Sequence, residues 1–313
     1  MKNIAFHSPQ LGIRGTEVAL YDYALYNETI LGNKSYIISD AHADLTTLEK
    51  FQKRFPVFLY KNFNEVAKFL AHNEITFFYA MKSGENDGKV VPGVRNLVHV
   101  VFQNKDVHGD CYAYISSWLA NKMGMSESYV PYIVTLPKPD GDYRAFLNIP
   151  RDNVVVGRHG GFNEFDIPFV YDAIYRTLAQ RTNITFLFMN TRPFGPAHPN
   201  IIHVEGSYDL QIKSNFIETC DYMIHARQLG ESFGLAISEF LYNGKPVISW
   251  LGGYDQHHVQ LMGNNALWYQ DGAQLEQILI SLPKNIFGLD CKAMVAQFSP
   301  EIVMERFNNV FLK

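Results

Sequence analysis

Short apolar runs recur along the chain, each followed by a polar loop and then by a stretch with helical spacing. The runs 2–7, 35–39, 57–60, 75–80, 97–102 and 111–116 predict strands in the first part of the chain, with helices over 17–31, 45–54 and 63–71 between the earlier ones. The pattern repeats further on. Strands are expected at 154–158, 184–189 and 221–226, with another ending in His203-Val204-Glu205-Gly206 and one starting at 246–248, and helices at 167–180, from Tyr208 onwards, and between Gly234 and Gly244. Ser299 followed by Pro300 predicts a capped terminal helix. Continuous apolar strands alternating with helices specify parallel sheets with helices on both faces, so the expected class is α/β with two doubly wound, Rossmann-like domains. Between them, Pro137-Lys138-Pro139 and Asp140-Gly141-Asp142 read as an extended linker with a turn. This places the domains at 1–138 and 139–298, with the terminal helix 299–313 packing back on the first.

The 313 residues suffice for two cores, and 47% hydrophobic with 19% charged residues describes a globular chain. Residues 1–140 carry 14 basic and 14 acidic side chains, and residues 141–313 carry 13 and 17. Neither half is a basic domain, which argues against nucleic acid as a partner. The scattered Lys50, Lys53, Arg54, Lys61 and Lys68 allow at most peripheral membrane contact. The opening MKNIAFHSPQ has no apolar leader, and no run reaches the length of a membrane span. Cys111, Cys220 and Cys291 form neither a disulfide framework nor a zinc ribbon, so a reducing, cytoplasmic location is expected. Neither G-x-G-x-x-G nor a P-loop is present, which counts against a nicotinamide enzyme or an NTPase.

Chemistry concentrates in DYMIHARQLGESFGLAISEFLYNGKPVIS, residues 221–249. A strand, a polar loop and a helix bring Glu231 and Glu239 to either side of a helix start, with seven residues between them. The loop opens at the carboxyl end of a strand, where parallel sheets bind ligands. The N–H groups of Phe233, Gly234 and Leu235 stand at the positive end of the helix dipole and suit a phosphate. Carboxylates at these two places can accept hydrogen bonds from sugar and ribose hydroxyls. The same letters, Gly230-Glu231-Ser232-Phe233-Gly234, satisfy the nucleophile elbow of an α/β-hydrolase with Ser232 as nucleophile. Against that, Arg227-Gln228-Leu229 separate the strand from the turn, and Asp255 precedes His257 too closely for a triad on separate strands. The structural alternative for Ser232 is a helix N-cap.

The sequence GESFGLAISEF, followed by GKPVIS and GGYDQ, resembles the donor-site signature of retaining GT-B glycosyltransferases, in particular glycosyltransferase family 4. The resemblance is strongest over residues 153–254. It implies a nucleotide-diphosphate sugar such as a UDP- or GDP-sugar as donor substrate, a glycan, lipid-linked or small-molecule acceptor, and no metal. It gives Glu239 the ribose, Glu231 the donor sugar, and the amides of Phe233, Gly234 and Leu235 the diphosphate, with Ser232 counted among the donor-binding residues. Arg158 matches the family's diphosphate-binding arginine, whereas Asn163 stands where a lysine is usual. Arg14 and Gly15 occupy the first glycine loop, with arginine in place of one glycine, and Arg14 or Arg227 could replace the absent lysine. Tyr208 opens the loop that cradles the base in resembling enzymes. His108 corresponds to a histidine near the donor sugar. A nucleotide-sugar epimerase or hydrolase on the same fold, and a non-catalytic nucleotide-sugar-binding protein, remain as alternatives. The Asp140-Gly141-Asp142 triplet mimics a metal-binding Asp-x-Asp, but its proline-flanked position makes it a turn.

Overall fold

The computed structural model describes residues 1–284 and 289–313. The chain forms two compact units, Met1–Ile133 with Phe298–Lys313, and Val134–Gln297.

In the first unit the elements run β1 (Asn3–His7), α1 (Gly15–Thr29), β2 (Lys34–Asp40), α2 (Leu48–Gln52), β3 (Val57–Tyr60), α3 (Asn64–His72), β4 (Phe77–Lys82), β5 (Arg95–Val100), β6 (Cys111–Tyr114) and α4 (Ser117–Met123). The six strands pair in parallel in the order β3-β2-β1-β4-β5-β6. The winding direction therefore reverses between β1 and β4. One face carries Ala5, Ile38, Phe78 and Ala80 against Val66 and Leu70 of α3. An aromatic cluster of Phe6, Tyr23, Tyr79, Phe307 and Phe311 supplies a second part of the core. His99 lies within this cluster: Nδ1 is 2.6 Å from the Tyr79 hydroxyl and Nε2 is 2.9 Å from the Val130 carbonyl. It is a satisfied core histidine.

The second unit contains β7 (Val154–Arg158), α5 (Pro168–Gln180), β8 (Ile184–Met189), β9 (Ile201–Val204), α6 (Leu210–Thr219), β10 (Tyr222–His225), β11 (Gly230–Glu231), α7 (Leu235–Tyr242), β12 (Val247–Trp250), β13 (Asp255–Gln256), α8 (His257–Met262), β14 (Leu267–Tyr269), α9 (Gly272–Ser281) and α10 (Cys291–Val295). Its main sheet, β14-β12-β10-β7-β8-β9, is also parallel and six-stranded, and here the reversal falls between β7 and β10. Every residue of β7, β8 and β10 is buried, which is why these strands read as unbroken apolar runs. The α/β class with two doubly wound sheets is as expected. The short pair β11·β13, with Gly230 opposite Asp255, is not legible in the pattern.

Local signals set several boundaries. Ser299 caps α11 (Pro300–Phe307) by accepting from the Ile302 amide, and Pro300 takes the first turn as predicted. Gly244 follows α7 in the left-handed region, and the amides of Lys245 and Gly244 turn back to the carbonyls of Phe240 and Leu241. Ser232 is not an N-cap. That position belongs to Gly234, two residues later, because the chain makes an extra strand before the helix begins. Lys82, two residues beyond the predicted 75–80 run, ends β4, and its side chain is buried there.

Candidate functional site

In the second unit β7 and β10 flank the reversal of winding, and open α/β sheets take ligands at the carboxyl ends of such strands. β7 ends in Arg158 and β10 in His225. The loop after β10 leads through β11 into α7, so Glu231 stands before that helix and Glu239 projects from its second half.

Glu231 is held from two sides. Its Oε1 accepts from His225 Nε2 at 3.2 Å, and its Oε2 accepts from an arm of Arg227 at 3.1 Å. The other arm of Arg227 donates to Glu164 at 2.8 Å. Burial opposes the carboxylate's charge, but the His225 hydrogen bond and the Arg227 guanidinium outweigh it and hold the group down at about 2. His225 is itself oriented by Ser249 of β12, whose hydroxyl lies 2.9 Å from Nδ1. Since a carboxylate only accepts, Nε2 carries the shared proton.

Glu239 has a separate cage. Lys213 of α6 donates to Oε1 at 2.8 Å. His159, the residue after β7, brings Nε2 to 3.1 Å from Oε2, close enough for an ion pair but out of line for a hydrogen bond. Among the described residues both of those buried atoms therefore lack a hydrogen-bond partner. Burial again works against the charge, and Lys213 followed by His159 overcomes it, bringing the carboxyl to about 2. Burial also holds His159 below the usual imidazole range.

Arg158 is only 5% exposed. Its guanidinium donates to the Thr191 hydroxyl at 2.5 Å and to the Gly161 carbonyl at 2.9 Å. Among the described residues it makes no ion pair. Burial lowers its pKa to about 10, which leaves it charged at neutral pH and available to an anion. Asn163 is exposed in the loop that follows.

Phe233 is buried, and its carbonyl lies 2.6 Å from His257 Nδ1 while the two rings stack. This fixes the backbone just before Gly234 and Leu235, the N-cap and first residue of α7. Because β10 ends at His225, Ser232 does not sit on a strand-to-helix elbow, and the hydrolase arrangement is not formed. Tyr208 is half-exposed, immediately before Asp209, whose carboxylate caps α6.

The second unit thus assembles Arg158, Glu231, Ser232, Phe233, Gly234, Leu235 and Glu239. Gly15, Arg14 and His108 belong to the first unit. Arg14 is the exposed N-cap position of α1 and Gly15 its first residue. His108 is buried, with Nδ1 donating to the Asp106 carbonyl at 2.6 Å and Nε2 facing Lys82 Nζ at 3.1 Å. Sequence reasoning did not find Lys213, His159, His225 or Ser249. His225 and Ser249 did leave a trace, as polar residues near the carboxyl ends of apolar strands. Lys213 left none. Among the described residues no group of three or more His, Cys, Asp or Glu side chains is arranged to hold a metal ion.

The sequence matches no family model and no curated protein. Solved structures do match. HepE of Anabaena, in complex with UDP-glucose, superimposes with a TM-score of 0.73 at 15% identity, covering 99% of each chain. The fold is GT-B. A glycosyltransferase from Rickettsia africae gives 0.71 at 13% identity, over 99% of this chain and 97% of that one. A putative UDP-N-acetylglucosamine 2-epimerase from Listeria monocytogenes gives 0.61 at 12%, over 98% and 94%. The GT-B fold is thus common to proteins bearing both transferase and epimerase names, and the fold alone does not decide the chemistry.

Proposed function

We propose that this protein is a retaining glycosyltransferase of the family 4 type, moving a sugar from a nucleotide-diphosphate sugar to an acceptor hydroxyl in the cytoplasm without a metal. The donor side is residues 139–298, and the acceptor side is residues 1–138 with 299–313. The observation that carries the reading is the pair of caged, ionised carboxylates, Glu231 and Glu239, on either side of a helix start at the winding reversal of one sheet. In this reading Glu239 receives the ribose hydroxyls and Glu231 the hydroxyls of the donor sugar. Arg158 and the α7 amides from Phe233 to Leu235 stabilise the leaving diphosphate, with Ser232 beside them. Tyr208 borders the base. His108 serves the sugar and acceptor side.

The absent lysine at Asn163 is compensated by Arg227. Its charge is already shared between Glu231 and Glu164, so it can turn toward a diphosphate while His225 keeps Glu231 in place. The bound UDP-glucose of HepE suits this class of donor. The epimerase-named neighbour motivates one alternative, consumption of the donor without an acceptor, which product analysis separates from transfer.

The test is a thermal shift of the wild type and Glu239→Ala against UDP, GDP, ADP and dTDP and their sugar conjugates. Ligand at a hundred times its Kd stabilises by about 2.7 kcal/mol, enough to move the midpoint by several degrees. A shift with one nucleotide, abolished in Glu239→Ala, is expected. Transfer should be lost in Glu231→Gln while nucleotide binding survives. No shift with any nucleotide would reject the reading.

A further inference from the structure

Six buried side-chain polar atoms lack a hydrogen-bond partner among the described residues, and they fall into two sets. His159 Nε2, Glu239 Oε2 and His258 Nδ1 belong to the second unit, around the site already described. His7 Nδ1, Ser39 Oγ and Glu17 Oε2 belong to the first. Native proteins leave few buried polar atoms unsatisfied, so each calls for an explanation. His7 ends β1, Ser39 is the penultimate residue of β2, and Glu17 lies in the first turn of α1 beside Ser8. All three are therefore at the carboxyl end of the first sheet. The winding there reverses between β1 and β4, which end in His7 and Lys82.

The hydrogen bonds show what this place can offer. Lys89 Nζ approaches the Tyr60 hydroxyl oxygen at 3.5 Å, and that hydroxyl lies 3.1 Å from His7 Nε2. With Tyr60 donating to Nε2, the proton of the His7 ring is on Nδ1, a buried N–H with no acceptor. Burial takes His7 down to about 3, so the ring is neutral. The Lys82 side chain is 7% exposed. Its ammonium has three protons. Asp87 accepts one, and His108 Nε2, left as an acceptor because Nδ1 donates to Asp106, takes another. The third is open. The charges acting on His7 are those of Lys82 and Lys89 on one side and of Asp87 and Asp40 on the other, two of each sign.

A phosphate or carboxylate gains nothing from a cluster whose charges cancel. A hydroxyl group, which donates and accepts at once, fits the two open donors at the ends of β1 and β4 and the exposed Asp87 carboxylate beside them. We infer that His7, Lys82 and Asp87, backed by Tyr60, Lys89 and His108, form a binding site for an uncharged polyol, a sugar ring whose neighbouring hydroxyls bridge these three residues. Its use as the acceptor site rests on the transferase reading; its affinity for a neutral sugar does not.

The experiment titrates the full chain, without nucleotide, with methyl glycosides of glucose, galactose, mannose and N-acetylglucosamine. Glucose 6-phosphate and glucuronate serve as charged counterparts. Saturation-transfer NMR detects binding and calorimetry measures it. At least one neutral glycoside is expected to bind, and Asp87→Asn and Lys82→Met should each weaken it ten-fold or more. Asp87 is exposed, so its substitution leaves the core intact. The midpoint shift with nucleotide should be the same in both variants as in the wild type. Three results would overturn the inference: no neutral glycoside binding, tighter binding of the charged sugars, or binding indifferent to Asp87→Asn. Failure of the donor reading shows separately, as the absence of any nucleotide shift.

Discussion

At the residue scale, the buried ionisable groups tie stability to pH. His7 and His258 are held down to about 3, and His99 and His257 to about 4, against an ordinary 6.5, chiefly by burial. Glu231 and Glu239 stand at about 2 against 4.5. In all six the folded pKa is the lower one, so the unfolded chain takes up protons first as pH falls. Their stabilisation is complete above pH 6.5, begins to fail below it as the histidines charge, and falls further between 4.5 and 2 with the glutamates. Urea midpoints measured from pH 8 to 3 should be level at the alkaline end and drop below 6.5. A level profile down to 4.5 would contradict the histidine burial. Lys213 gives a second prediction. Replacing it by Met leaves the Glu239 carboxylate buried without its main counter-charge, at a cost of about 3–5 kcal/mol. Adding Glu239→Gln to that variant should recover part of the loss, which a double-mutant cycle in urea measures.

At the scale of elements, the β11·β13 pair decides where Glu231 sits. Gly230 has φ +79°, and a Cβ there would lie 2.0 Å from the Asp255 carbonyl oxygen. Gly230→Ala must therefore part the two strands, because neither backbone can retreat without losing its pairing. The expected outcome is a loss of donor-sugar affinity larger than the loss of nucleotide affinity, read by titrating UDP and a UDP-sugar separately, since Glu231 moves and Glu239 on α7 does not. Equal losses would place the two glutamates in one rigid body. The caps are simpler. Asp209 accepts from the Gln211 and Ile212 amides at the start of α6, and Asp209→Ala should cost about 1 kcal/mol in denaturant unfolding. These caps, like Ser299-Pro300 and Gly244, are local chemistry, and most could be found in the sequence. The N-cap of α7 could not. Ser232 has the right chemistry, but strand pairing with a segment beyond the next helix carries the chain past it to Gly234.

At the scale of the whole molecule, the C-terminal stretch completes the first unit's core. Phe307 stacks near Phe6 and Tyr23, and Phe311 meets Tyr79 and His99 edge-on. Phe307→Ala should cost about 3–5 kcal/mol, and a chain ending at residue 297 should lose the first unit's protection from proteolysis while the second keeps its own. The sequence by itself determined the α/β class, most of the strands and the pair Glu231 and Glu239, because these depend on periodicity and on residues close together on one strand-loop-helix unit. The tertiary structure alone decided what surrounds that pair. Lys213 comes from α6, His159 from the end of β7 and Ser249 from β12, and only the parallel order of the sheet brings their side chains to the two carboxylates. It also decided the state of the buried histidines. Hydrophobic patterning places His7 and His99 inside strands, but which nitrogen finds a partner depends on Tyr60, Tyr79 and Val130, which other parts of the chain deliver. Periodicity is a property of neighbours along the chain; charge and proton position are set by neighbours in space.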